Sequence, residues 1–173
     1  NPAIQLSYAR LAIFGGDILL ARNYINKALE FKSNYTDAYF ILAQLEAASD
    51  IIKKRMRLWD QYHAAFSDLE KKGKVRCPMV PSYCKHNAHV YYLLLPTQVE
   101  RDRFIREMNY RGINTVFHYV PLHSSPAGRR FGRPGTTMKN TNDLSSRLVR
   151  LPLWIGIEKQ ISRVIDEAVR FLS

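Results

Sequence analysis

The spacing of apolar residues predicts one long helix in the first half of the chain. Apolar positions recur there at alternating steps of three and four, which places them on one stripe of a helix. The stripe consists of Leu42, Leu45, Ser49, Ile52, Met56, Trp59, His63 and Phe66. Gly73 is expected to end the helix. Because His63 lies on this apolar stripe, we interpret it as a hydrogen-bonded histidine of the core or its edge rather than a catalytic one.

Residues 1–35 follow a different pattern, in which small residues fall at helix-contact spacing. They are Ala9, Ala12, Ala21 and Ala28, with a break at Gly15-Gly16-Asp17. This stretch resembles a tetratricopeptide repeat, since a shift of 34 residues brings Ala9 onto Ala43. We therefore predict a tetratricopeptide-like helical hairpin over 1–35 and a connecting helix over 36–74. Residues 37–48 fit the repeat and the following domain equally well, and a self-standing solenoid would need more repeats.

Beyond Gly73 the pattern changes to short strands and helices. It predicts strands over 75–80, 88–95 and 113–120, a helix between Thr97 and Gly112, a short helix from about 140 to 150, and a final helix. Thr97 and Glu100 form a capping box at the start of the first of these helices. The prediction for 75–173 is a small α+β domain, with a mostly antiparallel sheet covered by helices on one face.

The net charge of +11, from 26 basic and 15 acidic residues, favours anionic partners. Nucleic acid is a disfavoured partner, because the basic residues are spread along the chain without a recognition motif. Arg129, Arg130 and Arg133 lie in a loop with glycine and proline, where a phosphate could reach them. No apolar run is long enough for a membrane span, so we expect a soluble, cytoplasmic protein without a membrane partner.

Three stretches carry a second resemblance. They are Asn87 to Tyr92, Phe117 to Gly132 (Phe-His-Tyr-Val-Pro-Leu-His followed by Ser-Ser-Pro-Ala-Gly-Arg-Arg-Phe-Gly), and Arg147 to Trp154. Together they resemble the C-terminal domain of the DegT-type sugar aminotransferases, most closely the dTDP-4-amino-4,6-dideoxygalactose transaminases. The resemblance extends from about Ala43 to the end of the chain. It implies the small C-terminal domain of a fold-type I aminotransferase.

The resemblance implies a pyridoxal-phosphate-dependent transaminase acting on a dTDP-4-keto-6-deoxy sugar in cell-surface polysaccharide or lipopolysaccharide biosynthesis, with glutamate as amino donor. Enzymes of this kind carry the Schiff-base lysine and the phosphate loop on a large N-terminal domain. No lysine here lies in a similar context, and the nearest match, Thr136 to Lys139, falls in the wrong domain. We expect the isolated chain to be inactive, to bind no cofactor covalently, and to need the missing large domain and a homodimer partner.

The same resemblance implies a substrate-binding set for the nucleotide sugar, without a catalytic residue or a metal. The candidates are His89, His118, Tyr119, His123, Arg129 and Arg130. Alternation along a strand allows at most one of His118 and Tyr119 to face the ligand directly.

Three other interpretations compete with this one. Cys77, Cys84, His86 and His89 offer zinc ligands, but the cysteine spacing is not that of a zinc knuckle. A disulfide is disfavoured in a cytoplasmic chain. A hydrolase would pair His123 with Ser124 or Ser125, yet no nucleophile-elbow glycines surround these serines. The remaining alternative is a non-catalytic interaction module whose N-terminal helices dock a protein partner.

Overall fold

The computed structural model describes residues 1–14 and 16–173 and divides the chain into two compact units, Asn1–Ile52 and Lys53–Ser173. Gly15, the first residue of the predicted break, lies outside the described residues. None of the helices in the described part of the chain is both long and apolar enough to cross a membrane.

The first unit is built from two helices that pack on each other and from the first part of a third. Helix α1 spans Pro2–Phe14, and α2 spans Ile18–Phe31. Asp17 caps α2 by accepting a hydrogen bond from the backbone N–H of Leu20 at 2.9 Å. The apolar core of the first unit consists of Leu6, Ala9, Ile25, Ala28, Ala38 and Ile41. The alanines allow the helices to approach closely, as their spacing predicts.

Helix α3 spans Thr36–Lys71, and Gly73 follows it with a φ of 70°, a conformation that favours glycine. Trp59 and Phe66 are buried as predicted, but the predicted stripe is wrong at Ile52, which is 40% exposed. Ile52 lies at the end of the first unit and belongs to neither apolar core. The ring of His63 stacks on Trp59 at 4.7 Å, and its buried Nδ1 has no hydrogen-bond partner, contrary to the interpretation as a bonded histidine.

The second unit contains a three-stranded antiparallel sheet of order β1-β3-β2. Its strands are β1 (Tyr91–Leu94), β2 (Val116–Phe117) and β3 (Leu148–Leu151). A short helix is present before β3, but its predicted end near Arg150 is wrong. The helix stops at Arg147, and the chain then pairs as β3 with both other strands. The predicted strand over 75–80 is reduced to a single bridge between Arg76 and Leu94. Pro78 and Pro81 lack the N–H groups that a longer ladder requires.

Helices cover one face of this sheet. They include α4 (Gln98–Tyr110) and α7 (Ile161–Leu172), and between them lie α5 (Pro126–Phe131) and α6 (Lys139–Arg147). Thr97 caps α4 as predicted, since its Oγ1 accepts a hydrogen bond from Glu100 N at 3.1 Å, while the Glu100 carboxylate accepts from the Thr97 hydroxyl at 2.8 Å and not from its backbone N–H. Side chains from α3, α4 and α7 share one apolar core with Tyr91, Leu93, Val149 and Leu151 of the sheet. The unit is therefore an α+β domain with its core on one side of the sheet.

Candidate functional site

Arg150 occupies the middle of the sheet face that lies opposite the core. The register pairs it with Tyr92 on β1 and with Val116 on β2. Its neighbours along β3, Val149 and Leu151, point into the core, so alternation directs Arg150 to the other face. A charged side chain thus stands in the central strand of a small sheet.

Two of the predicted site histidines lie close enough to Arg150 for electrostatic interaction. Partial burial of the His118 ring, followed by the positive charges of Arg150 and His89, lowers the pKa of His118 below the ordinary value for histidine. His118 is therefore a neutral imidazole near pH 7, able to donate one hydrogen bond and accept another. The Nδ1 atom of His89 lies 3.0 Å from Asn87 Oδ1, which leaves its Nε2 directed away from that bond.

Arg150 and His89 line a cavity of about 200 Å³. The other lining residues are Val90, Asn114, Val116, Leu151, Pro152, Leu153 and Trp154. No carboxylate belongs to this lining in the part of the chain that the structure describes. The Arg150 Nε atom is buried and has no hydrogen-bond partner. An unsatisfied buried donor of this kind is uncommon in folded proteins and favours an anionic ligand.

Tyr119 contacts the ring of His118, with centroids 4.4 Å apart, but lines a different cavity. That cavity, of about 650 Å³, is also lined by Phe117 and by the buried Arg101. The Arg101 guanidinium lies 5.8 Å from the centroid of Phe117 and forms an ion pair with Asp102 at 2.9 Å. The cavity wall is therefore aromatic, with its deepest positive charge already neutralised.

His123 lies outside both of these cavities, in the segment around α5. It lies in a 3-10 turn, Leu122–Ser124, where its Nε2 is 2.8 Å from Asn142 Oδ1. Ser124 and Ser125 donate their hydroxyl hydrogens to the carbonyl oxygens of Pro121 and Leu122. The residues that a hydrolase would need are thus engaged in local hydrogen bonds, and His123 bonds to an amide instead of a serine.

Gly128 allows α5 to fold back on this turn. A Cβ atom at this position would lie 1.6 Å from the carbonyl oxygen of Leu122, so no side chain fits. Ser125 caps the helix and accepts a hydrogen bond from the Gly128 N–H at 3.0 Å. The turn and the short helix form one tightly packed segment.

Arg129 and Arg130 project from this segment and are exposed. Arg129 Nε donates to the Ser124 carbonyl oxygen at 2.8 Å, and the Arg130 guanidinium lies 5.0 Å from the centroid of Phe131. The structure therefore brings the candidates together in two groups. One is His89 and His118 beside Arg150, and the other is His123, Arg129 and Arg130 around α5.

Arg150 was missed by sequence reasoning, although it lies within a stretch that carries the family resemblance. The only signal was one arginine in the apolar run Leu148-Val149-Arg150-Leu151. That signal becomes informative once β3 is known to be a central strand, because a charge there has to face away from the core.

The two cysteines are free, Cys77 buried and Cys84 exposed. Burial is the main cause that raises the pKa of the Cys77 thiol. Over residues 1–14 and 16–173, no group of three or more histidine, cysteine or acidic side chains is arranged to hold a metal ion.

The architecture of this chain is similar to that of part of several solved proteins, aminotransferases among them. An aminotransferase, TlmJ from Streptoalloteichus hindustanus, superposes on 78% of this chain with a TM-score of 0.69 and 23% identity. NtdA from Bacillus subtilis, solved with bound cofactor PMP, covers 88% with a TM-score of 0.68 and 19% identity. The chain has the fold of part of an aminotransferase. It belongs to the DegT/DnrJ/EryC1/StrS aminotransferase family, whose model matches residues 3–170.

Curated relatives agree with this assignment. An uncharacterised protein of Methanocaldococcus jannaschii is 31% identical over 151 residues. The dTDP-4-dehydro-2,3,6-trideoxy-D-glucose 4-aminotransferase of Saccharopolyspora spinosa is 27% identical over 125 residues. The chain spans 38% and 31% of the length of these relatives, and 35% and 39% of the two solved chains. The predicted family is confirmed, while the tetratricopeptide-like hairpin and the particular sugar stay predictions.

The family depends on pyridoxal phosphate, and solved neighbours hold this cofactor or its amine form. Covalent attachment requires a lysine enclosed in a cleft. Every one of the ten lysines in this chain is exposed. The residues present here therefore do not form the covalent cofactor site by themselves.

Proposed function

We propose that this chain is the part of a pyridoxal-phosphate-dependent transaminase that binds the sugar nucleotide. The proposed substrate is a dTDP-4-keto-6-deoxy sugar used in cell-surface polysaccharide synthesis, with glutamate as amino donor. The observation that carries the proposal is the presence of two arginine-containing groups of candidate residues. One is His89 and His118 beside Arg150, and the other is His123, Arg129 and Arg130 around α5. Family membership supports the reaction type, and the dTDP-sugar aminotransferase of Saccharopolyspora spinosa supports the substrate class.

The two groups suit different parts of such a ligand. Arg129 and Arg130 keep guanidinium N–H groups free on a firmly held segment, and guanidinium groups bind phosphate oxygens bidentately. Neutral His118 offers a donor and an acceptor to sugar hydroxyls, and His89 adds a ring nitrogen next to it. Tyr119, next to His118, adds an exposed aromatic face for stacking.

The complete enzyme needs more than this chain. We propose that a large domain supplies the lysine and the phosphate loop, and that the chain closes over the resulting cleft within a homodimer. Because the chain spans less than two fifths of the relatives' length, we expect no transamination by the chain alone.

A titration with dTDP, followed by backbone NMR shifts, tests the proposal. Residues 118–123 and 129–133 should respond before Lys53 to Arg57 or Lys71 to Lys74, and the response should weaken with added salt, because the contacts are ionic. The double variant R129Q/R130Q should weaken dTDP binding about tenfold or more, as expected for lost charge-assisted contacts. The matched variant K71Q/K72Q, which removes the same charge from an exposed helix end, should bind like the parent.

Uniform shifts over all basic clusters would show that the charge is only a solvated surface. In that case the second candidate function gains support. It is a non-catalytic module in which the N-terminal helices dock a protein partner, favoured by Leu11, Phe14 and Leu19, which are 65%, 93% and 78% exposed. The coding sequence upstream of Asn1 separates the two, since an aminotransferase large domain favours the first and tandem helical repeats favour the second.

A further inference from the structure

Arg150 differs from Arg111 and Arg147, two other partly buried arginines of the second unit, because no ion pair neutralises it. Arg111 pairs with Glu107 and Glu167, and Arg147 pairs with Asp143. Among the described residues, no carboxylate forms an ion pair with Arg150. A partly buried guanidinium without a counter-charge is costly, because its hydration is reduced and nothing compensates for the loss.

The surroundings of Arg150 hold imidazoles and no carboxylate among the residues described for the cavity lining. His89, just before β1, lines the cavity with Arg150, and His118 follows β2 on the sheet face that Arg150 occupies. Arg150 and His89 both act to lower the pKa of His118. The cavity between β1, β2 and the segment after β3 has apolar walls formed by Leu153, Pro152 and Trp154.

The cavity of about 200 Å³ matches a small ligand. A water molecule occupies about 30 Å³ in the liquid, so the space holds several waters or one compact oxyanion. Arg150 is itself partly buried, and a charge that is partly removed from water attracts an anion more strongly than a fully hydrated one. The buried Nε of Arg150 would then gain an acceptor.

We infer that Arg150, assisted by His89, binds a small oxyanion, either a carboxylate or a phosphoryl group. This inference rests on the proposed function only for the source of the anion. A phosphoryl group would come from the sugar nucleotide, and a carboxylate from the amino donor. The binding itself depends on the geometry around β3, which is separate from the arginines of α5.

The site has a spectroscopic signature in its histidines. His89 contacts Asn87 Oδ1 through Nδ1, so its Cε1–H group reports changes in the cavity that it lines. His118 faces Arg150 on β3, His89 before β1 and the ring of Tyr119. An anion that offsets the charge of Arg150 should therefore raise the pKa of His118 toward its ordinary value.

The test uses the 173-residue chain and two probes, inorganic phosphate and acetate, at constant ionic strength set with sodium chloride. Proton NMR of the imidazole Cε1–H groups and of the backbone amides of Leu151 and Leu153 reports binding. We expect saturable shifts confined to these groups and a rise in the pKa of His118. Tighter binding of phosphate identifies a phosphoryl site, and tighter binding of acetate identifies a carboxylate site.

Variants decide whether Arg150 carries the binding. R150Q should lower the affinity for the tighter-binding probe about tenfold or more, as expected when a charge-assisted contact is lost. The control R170Q removes the same charge from a side chain that is 67% exposed, and it should bind like the parent. H89Q alters an exposed side chain whose one hydrogen-bonding partner is Asn87, and it should weaken binding to a smaller degree.

The inference is overturned if neither probe gives saturable shifts beyond those of chloride, or if R150Q and R170Q bind alike. If R150Q does not fold, unchanged affinity in H89Q overturns it instead. This test and the dTDP titration can fail independently. If phosphate or acetate shifts the NMR signals around Arg150 while dTDP does not shift those of α5, this site is supported and the proposed nucleotide surface is rejected.

Discussion

Single side chains connect the long helix of this protein to the segment that borders the Arg150 cavity. Tyr62 on α3 donates its hydroxyl hydrogen to the carbonyl oxygen of Pro152 at 2.7 Å. Burial raises the pKa of this hydroxyl, so it stays protonated and remains a donor throughout the physiological range. Pro152 lines the cavity two residues after Arg150, and one hydrogen bond therefore helps to fix the cavity wall.

We expect Tyr62→Phe to lower the free energy of unfolding by about 1 to 2 kcal/mol, because the Pro152 carbonyl loses its donor. Urea unfolding followed by circular dichroism measures the change. Tyr39→Phe, at a position 53% exposed, serves as the control and should unfold like the parent. Equal midpoints for Tyr62→Phe and the parent would show that water replaces the lost bond without penalty.

At this scale the sequence predicted the residue types of the candidate site but not their grouping. His118, Tyr119 and His123 were chosen as candidates because they fall in one motif. Tyr119 and His123 line different cavities, and this separation depends on where β2 ends and on the contacts of α5, which no local pattern specifies. Arg150 was missed because its environment is created by pairing with remote strands.

At the scale of elements, the second half of α3 forms the side of the core on which the sheet packs. Trp59 is 7% exposed and contacts the rings of His63, His86 and Tyr91. Ile52, seven residues earlier on the predicted stripe, is outside both cores. The helix therefore contributes to the second core from about Met56 onward.

Trp59→Ala should lower the free energy of unfolding by about 3 to 5 kcal/mol, as for other large core truncations. Ile52→Ala is the matched control on the same helix, and it should change stability by less than about 1 kcal/mol because Ile52 is already exposed. Thermal unfolding of the two variants beside the parent measures both. If Trp59→Ala unfolds at the same temperature as the parent, the aromatic cluster does not support the core.

Helices with local signals were predicted more accurately than strands. The cap at Thr97 and the positive φ of 73° at Gly112 mark the ends of α4 within a few residues of sequence. Strand β3 has four residues, and its partners lie tens of residues away along the chain. Short strands of this kind derive their stability from pairing and burial, which the local sequence does not encode.

At the scale of the whole molecule, the chain has two separate apolar cores. One lies within Asn1–Ile52 and the other within Lys53–Ser173. Boundaries at 35 and 74, predicted from helix ends, remain predictions, whereas the compact units divide inside α3, where no glycine or proline marks the sequence. Proteins with separate cores can open regionally without global unfolding.

Ile25→Ala, at a fully buried position of the first core, should destabilise that unit by about 2 to 4 kcal/mol. Native-state hydrogen exchange measures the effect residue by residue. Amides of α2 should lose protection, while those of β1 and β3 should keep the protection of the parent. Equal loss of protection in both units would show that they unfold together.

The close approach at Gly128 has a consequence for the thermodynamics of ligand binding. The segment that carries Arg129 and Arg130 is fixed by its own backbone contacts and by the Ser125 cap before any ligand arrives. Binding therefore does not have to order this segment, and the conformational entropy that a loose loop would lose is already spent during folding. An anion that meets these arginines then orders only their side chains and not the backbone that carries them, so its affinity should depend little on temperature-driven loosening of the segment.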